Sequence, residues 1–255
     1  MSRELVRVKD VSAGYDGNIV LSHIDLTVRQ SDFIGVIGPN GGGKTTLVKL
    51  LLGRLTPVEG TIEYAPELGH IGYLPQANAT DRAFPITVRE VVASGLQAVK
   101  GIFGRYGAAE RAKVETIMER CGIAHLAGKT VGELSGGQLQ RAFLCRALIS
   151  SPRMLILDEP NTYVDNKFES QLYELLRQLN EQMAIVMVSH DLGTITSHVK
   201  SIACVNRCLH YHDSNIITQD ELNRYECPIQ LVTHGEVPHT VLERHKNCHC
   251  ACHED

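Results

Sequence analysis

An eight-residue run, Gly38-Pro39-Asn40-Gly41-Gly42-Gly43-Lys44-Thr45, fits the pattern G-x-x-x-x-G-K-[ST]. Glycines there let backbone N–H groups crowd round phosphate oxygens with no side chain in the way. A helix starting at the end of the run would turn its positive end to the anion. Lys44 could then reach the β and γ phosphates, and the Thr45 hydroxyl could ligate Mg²⁺. A second group complements the first. Met154-Leu155-Ile156-Leu157 delivers Asp158 and Glu159 at the end of an apolar segment, and α/β sheets place ligands at the C-terminal ends of their strands. Asp158 would hold Mg²⁺ through water, since that ion keeps much of its hydration shell. Glu159 is then free to orient and polarise an attacking water. A lone Asp-Glu pair would read as a solvated strand end; beside a phosphate loop it reads as chemistry. A third run, Ser135-Gly136-Gly137-Gln138, precedes a helical pattern. It reads either as a simple N-cap or as a second anion site built from N–H groups and the helix dipole.

These groups need a scaffold that brings distant segments together. Val6-Arg7-Val8 and Ile24-Asp25-Leu26-Thr27-Val28 alternate apolar and polar, which predicts half-buried antiparallel strands. Continuously apolar strands are predicted at 33–37, 154–157, 184–188 and 201–205, with another short strand at 71–74. Helical patterns cover 45–52, ended by Gly53, and 87–96, 108–121, 139–149 and 168–179. A further helix is expected to begin near Asp191. Buried strands alternating with helices imply an α/β core, a mostly parallel sheet with helices on both faces. The expected boundaries are a domain over 1–215, a helical subdomain inserted at about 77–150, and a C-terminal extension over 216–255.

The chain has 255 residues and a formal net charge of −4. Its 43% hydrophobic content allows a full core without disulfides. The slightly acidic balance does not favour nucleic acid as the main partner. No apolar stretch is long enough to span a bilayer, and the N-terminus has no apolar signal region. Cys121 and Cys145 fall in helical patterns and read as core residues. Cys204, Cys208, Cys227, Cys248, Cys250 and Cys252 fall in the last fifth of the chain, which assigns the bias to a tail and not to the fold. Seven histidines follow residue 200: His210, His212, His234, His239, His245, His249 and His253. Within Cys248-His249-Cys250-Ala251-Cys252-His253, thiolates and imidazoles suit zinc or copper(I) far better than magnesium or manganese. The spacing is not C-x₂-C, so the alternative is a tail that binds metal adventitiously.

With these motifs in this order, the chain resembles the ATPase subunit of an ABC transporter over nearly all of residues 1–210. The resemblance implies a P-loop NTPase core with an N-terminal antiparallel β part and the inserted helical subdomain. It implies ATP and Mg²⁺ as ligands, with Gly38, Pro39, Asn40, Gly41, Gly42, Gly43, Lys44, Thr45 and Thr46 on the phosphates. Tyr15 would stack on adenine. Gln76 would contact Mg²⁺ and the attacking water and couple to a membrane subunit. Ser135, Gly136, Gly137 and Gln138 match the signature motif. His190 matches the switch histidine on the γ-phosphate, and Asp165 the aspartate of the loop after the catalytic strand. The family works as a head-to-tail dimer, each ATP held by the phosphate loop of one copy and the signature of the other. The implied partners are a second copy, an integral membrane permease and an extracytoplasmic metal-binding protein, with the chain at the cytoplasmic face of the inner membrane. The triple glycine, Ile71-Gly72-Tyr73-Leu74-Pro75-Gln76 and Phe84-Pro85-Ile86-Thr87-Val88 are similar to ATPases of zinc and manganese uptake systems. Iron-chelate uptake and a soluble, non-transport ABC ATPase are the alternatives.

Overall fold

The computed structural model describes residues 3–76, 84–97, 106–160, 166–190, 195–215, 229–234 and 237–242. The N-terminal part is an antiparallel sheet. β1 (Glu4–Tyr15) pairs with β2 (Asn18–Arg29) on one side and β4 (Glu59–Tyr64) on the other. Asp16 and Gly17 turn the first hairpin, both with left-handed backbone (φ 51° and 79°), as a tight hairpin between right-twisted strands requires.

The second sheet has six strands in the order β5 (Ile71–Leu74), β6 (Met154–Asp158), β7 (Ala184–Val188), β3 (Phe33–Ile37), β8 (Ser201–Asn206) and β9 (Cys208–His212). The first five are mutually parallel; β9 turns back antiparallel to β8. All five residues of β3, β6 and β7 are buried. Strand alternation explains why both faces must be apolar. Leu155, Leu157, Ile185 and Met187 face one hydrophobic cluster, and Met154, Ile156, Val186 and Val188 face the other. The second cluster is closed by β1, β2 and helix α1 (Lys44–Leu51).

The first cluster runs without a break into the helices between β5 and β6: α2 (Val88–Ser94), α3 (Ala108–Arg120) and α4 (Gly136–Leu148). Val92, Met118, Leu139 and Ala142 belong to the same core as the sheet residues. Thr87 caps α2 through a reciprocal box, its hydroxyl accepting from Glu90 N while the Glu90 carboxylate accepts from Thr87 N. Helix α5 (Asn166–Asn180) connects β6 to β7. The predicted strands and helices at these positions form, with ends shifted by a few residues. Helix α4 begins three residues before the predicted start, because the two glycines after Ser135 enter its first turn.

Three features differ from the sequence-based expectation. β4 and β9 were not expected as strands; they are edge or near-edge elements held by pairing with β1 and β8. The region past residue 215 contains a two-stranded antiparallel pair, β10 (Ile229–His234) and β11 (Val237–Leu242). Cys204 and Cys208, with His210 and His212, do not belong to a tail. They lie in β8 and β9, where Cys204 is buried and directly opposite His210. Counting along the chain groups residues by position; strand pairing assigns them to the sheet. Cys121 and Cys145 are buried, as expected. Asp165, the expected helix start at Asp191, and Cys248, His249, Cys250, Cys252 and His253 lie outside the described residues.

Gly95 ends α2 where it meets α4. An added Cβ would lie 2.1 Å from the Arg146 carbonyl oxygen, a backbone atom that cannot rotate away. Gly95→Ala is therefore expected to cost about 1–3 kcal/mol by overpacking. Thermal unfolding should show a midpoint several degrees lower, while Gly128→Ala, with nothing within 4 Å of the added atom, leaves it unchanged.

Candidate active site at the strand ends

The phosphate loop leaves β3 through Gly38, whose φ of 150° and close approach to β8 exclude a side chain: a Cβ there would lie 2.0 Å from Val205 O. The loop is tied down from the same side. Arg207 N donates to Gly42 O (3.0 Å), and Gly42 N donates to Pro39 O (3.1 Å). Gly43, with φ 104°, precedes the first turn of α1. The end of the helix thus points its unpaired N–H groups toward the loop.

Lys44 folds back under the loop. Its ammonium donates to the carbonyls of Gly38 and Pro39, each at 2.9 Å, and only 6% of the residue is exposed. Burial pushes its pKa down, and the carboxylates of Glu159 and Asp158 push it back up. Thr45 is exposed and Thr46 buried on the same turn. Asp158, at the end of β6, is 7% exposed. Burial raises its pKa, the Glu159 charge adds to that, and Tyr73, Lys44 and His190 oppose it. Two carboxylates facing the Lys44 ammonium make a centre short of positive charge. A divalent cation beside Asp158 and the Thr45 hydroxyl fits that deficit.

Glu159 adopts a left-handed backbone (φ 51°), a strain of about 1–2 kcal/mol for a residue with a side chain. Its N–H is bound to Val188 O (3.1 Å). The turn brings its carboxylate between two partners. Gln76 Nε2 donates to one oxygen at 2.6 Å, and His190 Nε2 lies 2.6 Å from the other. A carboxylate only accepts, so His190 carries a hydrogen on Nε2. Gln76 follows β5, Glu159 follows β6 and His190 follows β7, three adjacent strands. The parallel register alone gathers them.

The predicted signature group sits elsewhere, on a strand edge away from the loop. Ser135 caps α4 through a complete box: its Oγ accepts from Gln138 N (3.3 Å), and Gln138 Oε1 accepts from Ser135 N (3.1 Å). Gly136 and Gly137 are the first residues of the helix. Helix α4 packs on α2 and on the edge strand β5, whereas the phosphate loop follows β3. Three strand spacings, about 14 Å, separate those strands. Tyr15 ends β1, is 39% exposed, and has the Lys49 ammonium 4.9 Å from its ring centroid. Tyr73 escaped the sequence reading: its hydroxyl lies 3.5 Å from Asp158 Oδ2. The available signal was its place two residues before Pro75 on a strand bordering the Asp158 strand.

Comparison with known proteins places this geometry. The family model described as ABC transporter matches residues 21–162. A metal transport system ATP-binding protein of Thermotoga maritima is 37% identical over 243 residues, which is 92% of this chain and 98% of that protein. The zinc uptake system ATP-binding protein ZurA of Listeria monocytogenes is 39% identical over 215 residues, covering 80% of this chain and 84% of that protein. Among solved structures, a metal-chelate type ABC transporter in an inward-facing conformation aligns with a TM-score of 0.80 at 23% identity. That alignment covers 95% of this chain and 98% of the other. Strand ends that gather a phosphate loop, two carboxylates, a glutamine and a histidine, together with these likenesses, mean that the chain belongs to the ABC transporter family, as an ATP-binding subunit.

Proposed function

We propose that this chain hydrolyses ATP to drive import of a divalent metal, zinc or manganese, through a separate membrane permease. The observation that carries the chemical part is the clasp of Glu159 between Gln76 and His190 beside the buried Lys44. The metal part rests on relatives named for zinc uptake and metal transport. In this reading Tyr15 stacks on adenine, and residues 38–46 hold the phosphates through N–H groups and the Lys44 ammonium. Thr45, Asp158 and Gln76 would hold magnesium, which supplies positive charge at the phosphates when bound. Glu159 orients a water and takes its proton as the water oxygen bonds to the γ-phosphorus and the β–γ bridge breaks. Each Glu159 oxygen keeps a second lone pair for that water while its partners fix its direction. With ATP bound, His190 turns its one Nε2 hydrogen from Glu159 to a γ-phosphate oxygen, leaving Gln76 on the carboxylate, and so favours the charge of the transition state.

The signature residues Ser135, Gly136, Gly137 and Gln138 serve the ATP of a second copy. Their distance from the phosphate loop of their own chain supports this, because a site open on one side needs a facing surface to exclude water. Asp165 contributes from the loop after β6 across the same interface. The proposed assembly is a head-to-tail homodimer at the cytoplasmic face of the membrane, with an extracytoplasmic metal-binding protein in the same system. The domain limits follow the same reading, with the ATP-binding unit over 1–215. The cysteines and histidines of 248–253 are proposed as a soft-ligand tail for zinc.

Glu159→Gln is expected to bind ATP but lower phosphate release roughly 10²–10⁴-fold, leaving a dimer that persists through size-exclusion chromatography. Hydrolysis at the parental rate would remove Glu159 from the role of base. Cells lacking this chain should accumulate less zinc or manganese and unchanged iron. A deficit in iron alone would replace the metal reading with the chelate one. Deleting residues 245–255 should reduce inhibition of the ATPase by zinc; undiminished zinc sensitivity would dismiss the tail as a metal site.

A further inference from the structure

Lys49 lies on the turn of α1 after Thr45, about 6 Å further along the axis. It is exposed to solvent, yet its ammonium is 4.9 Å from the centroid of the Tyr15 ring. Tyr15 itself is anchored at the end of β1 by pairing with Asn18 across the Asp16-Gly17 turn. The ring is therefore held from two sides, by a strand end and by the helix that carries the phosphate-binding residues. With one face under the ammonium, the 39% of Tyr15 that remains exposed leaves surface for a ligand.

Two π-systems stacked face to face repel through their negative quadrupoles, which is why aromatic pairs usually slide or tilt. A cation over one face draws electron density toward itself. The opposite face then presents less negative potential to an electron-rich purine. We infer that Lys49 is a positioning residue for the nucleotide base, acting through Tyr15 in a three-layer stack of ammonium, phenol and purine. The inference rests on the proposed stacking of adenine on Tyr15 and deepens it. It also ties base and phosphates to one rigid element, since Lys44, Thr45 and Lys49 share α1.

The test measures dissociation constants of the full-length protein for ATP and for inorganic tripolyphosphate, which has no base. Lys49→Met keeps an unbranched apolar stem and removes the charge. It should weaken ATP about two- to fivefold, the effect of an exposed cation–π contact, and leave tripolyphosphate unchanged. Lys49→Arg should restore parental ATP affinity. In a Tyr15→Ala background Lys49→Met should add nothing further. Equal weakening of ATP and tripolyphosphate would mean that Lys49 acts on phosphate and would overturn the inference. Tighter ATP binding by Lys49→Met would overturn it too, since the ammonium would then compete with the base for one face. If Tyr15→Ala weakens ATP but Lys49→Met does not, the inference fails and the stacking reading stands. If Tyr15→Ala leaves ATP affinity unchanged, the stacking reading itself fails.

Discussion

The hydrogen-bonded ladder joining β6, β7 and β3 is the constraint on which the site depends. Asp158 sits opposite Val188, Val188 opposite Val36, and the ladder continues past the strand ends through Glu159 N to Val188 O and Ser189 N to Val36 O. Parallel strands in register end together, so the loops that follow them emerge side by side. A slip of one residue would turn every side chain of a strand to the other face. Here both faces are filled by separate clusters, and residues such as Leu157 and Ile156 differ in shape and surroundings. Packing on both sides therefore holds the register that the chemistry needs.

Charge is distributed with the same economy. Lys44 is buried against backbone carbonyls, and burial works against its charged form. Asp158 is buried too, with its pKa pushed upward. Neither group would be comfortable alone in such a place. They answer one another: the Asp158 and Glu159 carboxylates favour the charged form of Lys44, and Lys44 favours that of Asp158. The strained backbone of Glu159 belongs to the same pattern, because a left-handed turn aims its carboxylate at Gln76 and His190 and not along the strand.

Much of this was legible in the residues. The apolar run 33–37 followed by a glycine-rich turn, and 154–157 followed by two acids, announce buried strands that end in polar groups. The N-cap of α2 at Thr87 is written in the Thr-x-x-Glu spacing. Other features were not legible, for physical reasons. β4 is mostly exposed, with Ile62 as its half-buried anchor, so it carries little hydrophobic period and exists because β1 offers an unpaired edge. The bond between Gln76 and Glu159 spans 83 positions, and nothing local in either segment specifies the strand order that brings them together. The strand carrying Cys208 was hidden by the neighbouring cysteines further along the chain, since composition does not record strand pairing.

The near-touching backbones at Gly95 have a mechanical meaning. Helices separated by side chains can slide, because rotamers give way. Two backbones in direct apposition have no such slack, so the junction of α2 and α4 at Gly95 cannot tighten further. Only a residue without a side chain can hold that junction, which makes Gly95 the fixed point at which α2 meets α4, at the end of α4 away from Ser135.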